Sequence, residues 1–204
     1  MILTKTQLKI MQLITSRITE SFSIRQVERE LGIDYSLVYR AIKPLIHKYK
    51  LLTATEHGRL VLNFREHHNI LAYVEYLRRD EFLKKPRNTD LAMCLKAFVN
   101  KFKEESFVLV IFGSAVNKNN PRDIDILLIG DNTNKTESSE LSLHNTSRDY
   151  MLDGKFHIVC ISYESVYEML GKREQRNVMN EVLNKHILIH GAELFYRLLD
   201  RGRK

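Results

Sequence analysis

Two cysteines, three prolines and no tryptophan occur in a chain of 204 residues. Cys94 and Cys160 lie far apart, each among apolar neighbours (LAMCLKAF and FHIVCIS), and no CxxC spacing occurs. This excludes a cysteine-built zinc site and predicts two buried free thiols in a reducing compartment. The longest apolar runs reach only about ten residues, against the roughly 20 that a spanning helix needs, so no membrane segment is expected. The opening MILTKTQLKIMQL carries charge too early and too often for a secretory signal, and a cytoplasmic location is the expectation. There is no internal repeat and no low-complexity segment.

Charge is not in short supply, but it is uneven. The net formal charge is +7, and residues 1–64 hold ten Lys/Arg against five Asp/Glu. Residues 65–105 hold nine against seven, and the remainder is balanced. A basic first third suits a polyanionic partner such as DNA.

That first third also carries a clear order of elements. Thr4 and Gln7 have capping-box spacing ahead of Leu8, Met11, Leu13 and Ile14 at helical period. Ser23 and Gln26 open a second helix with Val27 and Leu31 inward, closed by Gly32. Asp34 or Ser36 caps a third, with Val38, Ile42, Leu45 and Ile46 on its apolar side. Leu51–Phe64 then reads as a hairpin about Gly58. The stretch SIRQVERELGIDYSLVYRAIKPLIHKYKLL (residues 23–52) resembles the DNA-reading segment of winged helix-turn-helix domains. The resemblance implies that Tyr35, Ser36, Tyr39, Arg40 and Lys43 face a groove, with His57 and Arg59 in the wing. Pro44 is expected to kink that helix.

Residues 65–85 read as a long helix with a stripe of Ile70, Tyr73, Val74 and Leu77, either a spacer or a homodimer surface. His67 and His68 diverge too far on a helix to share a metal. Pro86 breaks the helix, and another follows over 89–104, with Leu91, Leu95, Phe98 and Phe102 inward. The expected organisation is residues 1–64, a connecting helix and linker over 65–88, and a second domain over 89–204.

The second domain opens with VLVIFGSAVNKNNPRDIDILLIG (residues 108–130). A strand ending in Gly113-Ser114 offers backbone N–H groups and a hydroxyl to phosphate oxygens. Eight residues separate Ser114 from Asp123, which with Asp125 begins the next apolar run. In a strand the two aspartates would share one pleat face, a pair suited to Mg²⁺ or Mn²⁺ carrying a triphosphate. The combination resembles the signature of the polymerase-β-type nucleotidyltransferase superfamily, its minimal branch in particular. The fold this implies is α/β (α+β), a mixed sheet with flanking helices. The activity it implies is transfer of a nucleoside monophosphate from an NTP to a hydroxyl. Gly113 and Ser114 would hold the nucleotide phosphates and Asp123 and Asp125 the metal. Arg122 stands where the family has a small residue; it can pair with a phosphate, or form a salt bridge that quiets the carboxylates. A later strand in the family supplies a third acid; the matching position in Lys155–Ile161 is His157, which as neutral imidazole can take a proton from an attacking hydroxyl.

Residues 131–148 read as a polar loop with a short helix at its end, and Asp153-Gly154 as a hairpin turn. Helices are expected after Ser162, over 174–184 and after Gly191, with an apolar run His186–His190 whose histidines share a strand face. Arg201, Arg203 and Lys204 form a basic tail. Some minimal nucleotidyltransferases are antitoxins that modify a HEPN-type ribonuclease, so a partner protein is one implied acceptor. The alternative is a DNA-binding regulator, antitoxin-like, whose nucleotidyltransferase fold has lost catalysis.

Overall fold

Paired caps define the first helices. α1 (Lys5–Thr15) begins where Thr4 Oγ1 accepts from the Gln7 N–H at 3.3 Å and Gln7 Oε1 accepts from the Thr4 N–H at 2.9 Å. Ser23 and Gln26 repeat the exchange ahead of α2 (Ile24–Leu31). These bonds satisfy donors that a helix start leaves unpaired. Gly32 closes α2 at φ 61°, in left-handed backbone. Asp34, rather than Ser36, caps α3 (Tyr35–His47), accepting from the Ser36 N–H at 2.8 Å. The helix runs on through Pro44. Pro44 lies in its last turn, three residues before the helix ends at His47, so the donor it lacks falls near the end of the ladder. β1 (Leu52–Ala54) and β2 (Leu60–Leu62) form an antiparallel hairpin, and Leu60 also bridges to Phe22.

The structure is a computed structural model that describes residues 3–102, 106–119, 121–131 and 133–202, with side chains described outside 133–137. Lys103, Glu104, Arg203 and Lys204, assigned above to a helix end and a basic tail, lie outside the described residues. The chain is mixed α/β, with nine α-helices, the hairpin and a four-stranded mixed sheet among the described residues. No helix among them is long and apolar enough to cross a membrane.

α4 (His68–Leu83) buries Leu71, Val74, Glu75, Arg78 and Phe82, whereas Tyr73, expected on the inward stripe, is 52% exposed. It packs against α1 on one side and the sheet on the other. After a 3₁₀ turn (Pro86–Asn88) come α5 (Thr89–Lys101), β3 (Val108–Phe112), a second 3₁₀ turn (Gly113–Val116) and β4 (Ile124–Gly130). The chain ends with α6 (Thr133–Asp149), β5 (Phe156–Ser162), α7 (Tyr163–Gly171), α8 (Val178–Asn184), β6 (His186–His190) and α9 (Ala192–Arg201).

Sheet order is β5-β4-β3-β6, with β4 and β5 parallel and the other neighbours antiparallel. Parallel neighbours need a crossover, usually helical. That is why the polar stretch read as a loop is instead the 17-residue α6. Asp153-Gly154 therefore turns from helix to strand and not between two strands. α8 starts at Val178, capped by Asn177, four residues later than expected.

The pleat divides the sheet between two cores. Val110, Phe112, Leu127, Ile129 and Leu188 face an apolar cluster that includes α9 and runs into the core of the N-terminal helices. Leu109, Ile111, Ile126, Leu128 and Ile189 face a second cluster under α5 and α6. Cys94 is buried there, its thiol pushed up to about 11 by burial, while Cys160 is only half-buried. Ile18 N–H donates to Leu183 O at 2.8 Å, joining the N-terminal helices to α8.

A polar group is locked between α4, β6 and α9. Glu75, fully buried, accepts from Arg78 Nη1 at 2.6 Å and from Tyr196 Oη at 2.8 Å. Arg78 Nη2 donates to His186 O at 2.7 Å. Burial alone pushes the Glu75 carboxyl up; Arg78, His186 and the Tyr196 hydroxyl outweigh it and hold it below the ordinary glutamate range. A carboxyl lowered in this way adds stability above its unfolded pKa, and that stability is lost as pH falls through the folded value. Glu75→Gln should destabilise the protein by about 3–5 kcal/mol at neutral pH, because Arg78 is left as an unpaired buried charge. Urea unfolding checks this against Glu168→Gln, which is exposed and should change stability by less than about 0.5 kcal/mol. The gap between wild type and Glu75→Gln should narrow below about pH 4.

Candidate functional site

The first functional side chains meet where β3 ends. Gly113 turns the chain out of the sheet at φ 69°. A Cβ built on it would lie 2.7 Å from Asp125 Oδ2. Glycine is thus required twice, by the backbone angle and by the approach to a carboxylate. Gly113 N–H donates to Lys185 O at 3.3 Å and so is already engaged. The next N–H groups, of Ser114 and Ala115, open the 3₁₀ turn, where no intrahelical acceptor reaches them. The half-buried Ser114 hydroxyl makes no hydrogen bond among the described residues.

Asp125 sits at the centre of this arrangement. Its register partners are Phe112 on β3 and His157 on β5. His157 Nδ1 lies 3.2 Å from Asp125 Oδ1, with Asp125 29% and His157 71% exposed. An ionised carboxylate only accepts, so Nδ1 donates in this contact and Nε2 is the ring nitrogen outside it. Oδ1 therefore serves the imidazole while Oδ2 faces the Gly113 turn.

Asp123 differs from the expectation. It lies in the bend before β4, not in the strand, so the shared pleat face is occupied by Asp125 alone. Arg122, 97% exposed, reaches Asp123 at 3.9 Å, which is a loose surface pair. No group of three or more His, Cys, Asp and Glu able to hold a metal occurs among the described residues. One carboxylate, that of Asp125, stands against the turn, and Asp123 lies two residues before it; Mg²⁺ or Mn²⁺ arriving on a triphosphate would need only one or two carboxylates plus phosphate oxygens. His157 does not extend that donor set, because Mg²⁺ favours oxygen.

The second group of side chains lies on α3. Tyr35, Ser36, Tyr39, Arg40 and Lys43 are all exposed. The rings of Tyr35 and Tyr39 stack at 6.1 Å and 11°. Lys43 Nζ sits 4.7 Å from the Tyr39 ring and the Arg25 guanidinium 5.6 Å from that of Tyr35. The result is a cation-aromatic ladder along one helix face. Ser36 hydrogen bonds hold the Asp34 carboxyl below its usual range, which keeps the cap charged. His57 is exposed in the hairpin turn. Arg59 is turned inward: Nε donates to Ser21 Oγ at 2.7 Å, and Nη2 to Ser21 O and Gln26 Oε1. It braces the hairpin against the cap of α2.

Sequence reasoning missed Leu37 and Arg25 on this surface. Leu37 is out of phase with the buried Val38, Ile42 and Leu45, and that phase was the available signal. It also missed the polar group around Glu75. His186 and His190 do not act as a pair: His186 is fully buried against that group, while His190 stacks on Phe107 at 4.5 Å, its pKa lowered by burial and by Arg79. Comparison with protein-family models, with curated proteins and with solved structures finds no match to the chain.

The Gly113 geometry can be tested directly. Gly113→Ala should cost about 1–3 kcal/mol of stability and displace Asp125. Gly171→Ala, in a helix and facing open space, should leave stability unchanged or raise it by up to about 1 kcal/mol. Chemical denaturation of the two variants side by side checks the contrast.

Proposed function

We propose that the chain is a DNA-binding nucleotidyltransferase. Residues 1–64 form a winged helix-turn-helix that binds DNA. Residues 89–204 form a minimal nucleotidyltransferase domain that moves a nucleoside monophosphate from an NTP to an acceptor hydroxyl. The observation that carries the transfer half is Asp125 held between the Gly113 turn and His157, one carboxylate oxygen towards each. A generic strand has no reason to place a half-exposed aspartate against a glycine turn.

On this reading the triphosphate oxygens take the donors at the start of the 3₁₀ turn and the Ser114 hydroxyl, and the exposed Arg122 would pair with an outer phosphate. Asp123 and Asp125 would hold Mg²⁺ or Mn²⁺, which supplies charge neutralisation on the phosphates. Asp125 fixes His157 with Nδ1 protonated, and Nε2 takes the proton of the acceptor hydroxyl. That oxygen bonds to the α-phosphorus, and pyrophosphate leaves with the bond it breaks. The acceptor hydroxyl could belong to a protein side chain, an RNA end or a small molecule, a HEPN-type ribonuclease being the instance the family resemblance suggests.

The face of α3 supports the DNA half. Arg40 and Lys43 suit phosphate or base edges, and the stacked tyrosines give them a rigid platform. Arg59 has Nε and Nη2 engaged with Ser21 and Gln26, whereas His57 is exposed in the hairpin turn and is the better placed of the two to approach DNA. A second reading, a regulator with a degenerate site, draws on His157 standing where a third acid would complete the metal ligands.

Incubation with labelled NTP, Mg²⁺ or Mn²⁺ and cell extract separates the two. The transferase reading expects label transfer that disappears in Asp125→Asn and falls about 10²–10⁴-fold in His157→Ala. Absence of transfer by the wild-type chain, with DNA binding intact, contradicts it and leaves the regulator. Lys43→Ala should weaken DNA binding about equally across sequences and reduce the salt slope by about one. An unchanged affinity in the double variant Arg40→Ala/Lys43→Ala would remove α3 from the interface.

A further inference from the structure

A cleft of about 820 Å³ opens where the N-terminal helices meet the sheet. Its size lies within the 300–1,000 Å³ typical of small-molecule sites. None of Gly113, Ser114, Asp123, Asp125 or His157 lines it, so it is separate from the turn-and-strand site. The two meet at the 3₁₀ turn, whose far end, Val116 with the adjoining Asn117, forms part of the cleft wall, and at Lys185, a lining residue whose carbonyl accepts the Gly113 N–H.

The lining is basic in a particular way. Arg17 is matched by Glu20 and Glu30, and Arg78 by Glu75. Lys9 on α1, Lys85 just beyond α4 and Lys185 just before β6 form no ion pair among the described residues. Glu81, the other acid in the lining, accepts from Gln12 at 3.0 Å. Three lysines from separate elements thus border one concavity that holds a single carboxylate without a cationic partner, Glu81, and the excess leaves a net positive potential inside it. Leu13, Phe82 and Ile187 supply apolar wall between them.

A polar atom is also left over. His186 belongs to the lining and is fully buried, and its Nδ1 has no hydrogen-bond partner among the described residues. A buried polar atom without a partner costs about 1–3 kcal/mol, and the residue that carries this one is part of the cleft wall.

We propose that this cleft binds a phosphate-bearing small molecule with an apolar or aromatic body. Lys9, Lys85 and Lys185 take the phosphate oxygens; Phe82, Leu13 and Ile187 take the body. The occupant touches α1 and α4 on one side and β6 and the 3₁₀ turn on the other, so it bridges the DNA-binding helices and the sheet. The proposal does not depend on nucleotidyl transfer.

Isothermal titration calorimetry of the full chain in EDTA tests it, with ATP, AMP and inorganic tripolyphosphate as probes. Without divalent metal, Asp123 and Asp125 repel phosphate, and the basic cleft is the favoured site. At least one nucleotide should bind, more tightly than tripolyphosphate, which lacks the body. Lys9→Gln with Lys85→Gln, both at exposed positions where folding is not at stake, should weaken binding about tenfold or more. Asp125→Asn should leave it intact. The proposal fails if none of the probes binds at millimolar concentration. It fails equally if binding is unchanged by the lysine substitutions, or if tripolyphosphate binds as well as ATP.

Discussion

The buried carboxylate of Glu75 is the interaction on which the rest of the arrangement depends. It lies on α4 with no exposure to water, and a charge in that position is tolerable only with its partners in place. Arg78 and Tyr196 meet it directly, and Arg78 continues to the His186 carbonyl. One helix, one edge strand and the last helix are thereby held in a single geometry. α4 in turn carries the N-terminal helices on its other side. The relation between the exposed α3 face and the sheet is set by packing and by this polar group together.

The same lock reaches the turn after β3. Lys185, adjacent to His186, accepts the Gly113 N–H, so the position of β6 also positions the Gly113 turn. The turn then presses on Asp125, and Asp125 orients His157. Each link is short and made by a specific atom. A residue buried far from solvent thus bears on a site that is half-open to it, and the cleft between the two regions borders both.

Much of this was legible in the sequence, and the reasons are local. The caps at Thr4, Ser23 and Asp34, the turn at Gly58 and the strand before Gly113-Ser114 depend on residues within a few positions of one another. Spacing and turn chemistry are enough for such features. What escaped were features set by distant partners. The helical run Thr133–Asp149 is polar, and only the parallel pairing of β4 with β5 demands a crossover there. Tyr73 lies off the inward stripe its spacing suggests, and Glu75 lies inside because Arg78, His186 and Tyr196 meet its carboxylate there, which no pattern of apolar residues reveals. Arg59 reads as a wing cation, yet Ser21 and Gln26, more than thirty residues earlier, claim its donors. Asp125 behaves as the alternation predicts, whereas Asp123 falls just outside the strand that would have aligned it.

The central claim is that the Gly113 turn and Asp125 hold a metal-bound triphosphate. Amide NMR with nitrogen-15 labelling, titrated with ATP in the presence of Mg²⁺, addresses it residue by residue. The account predicts that the Ser114, Ala115 and Asp125 amides shift together and saturably, with the His157 ring nitrogens, and that Asp125→Asn abolishes the Mg²⁺-dependent part of the response. Amides at 113–115 and 125 that stay unmoved at saturating Mg²⁺ and ATP would contradict it.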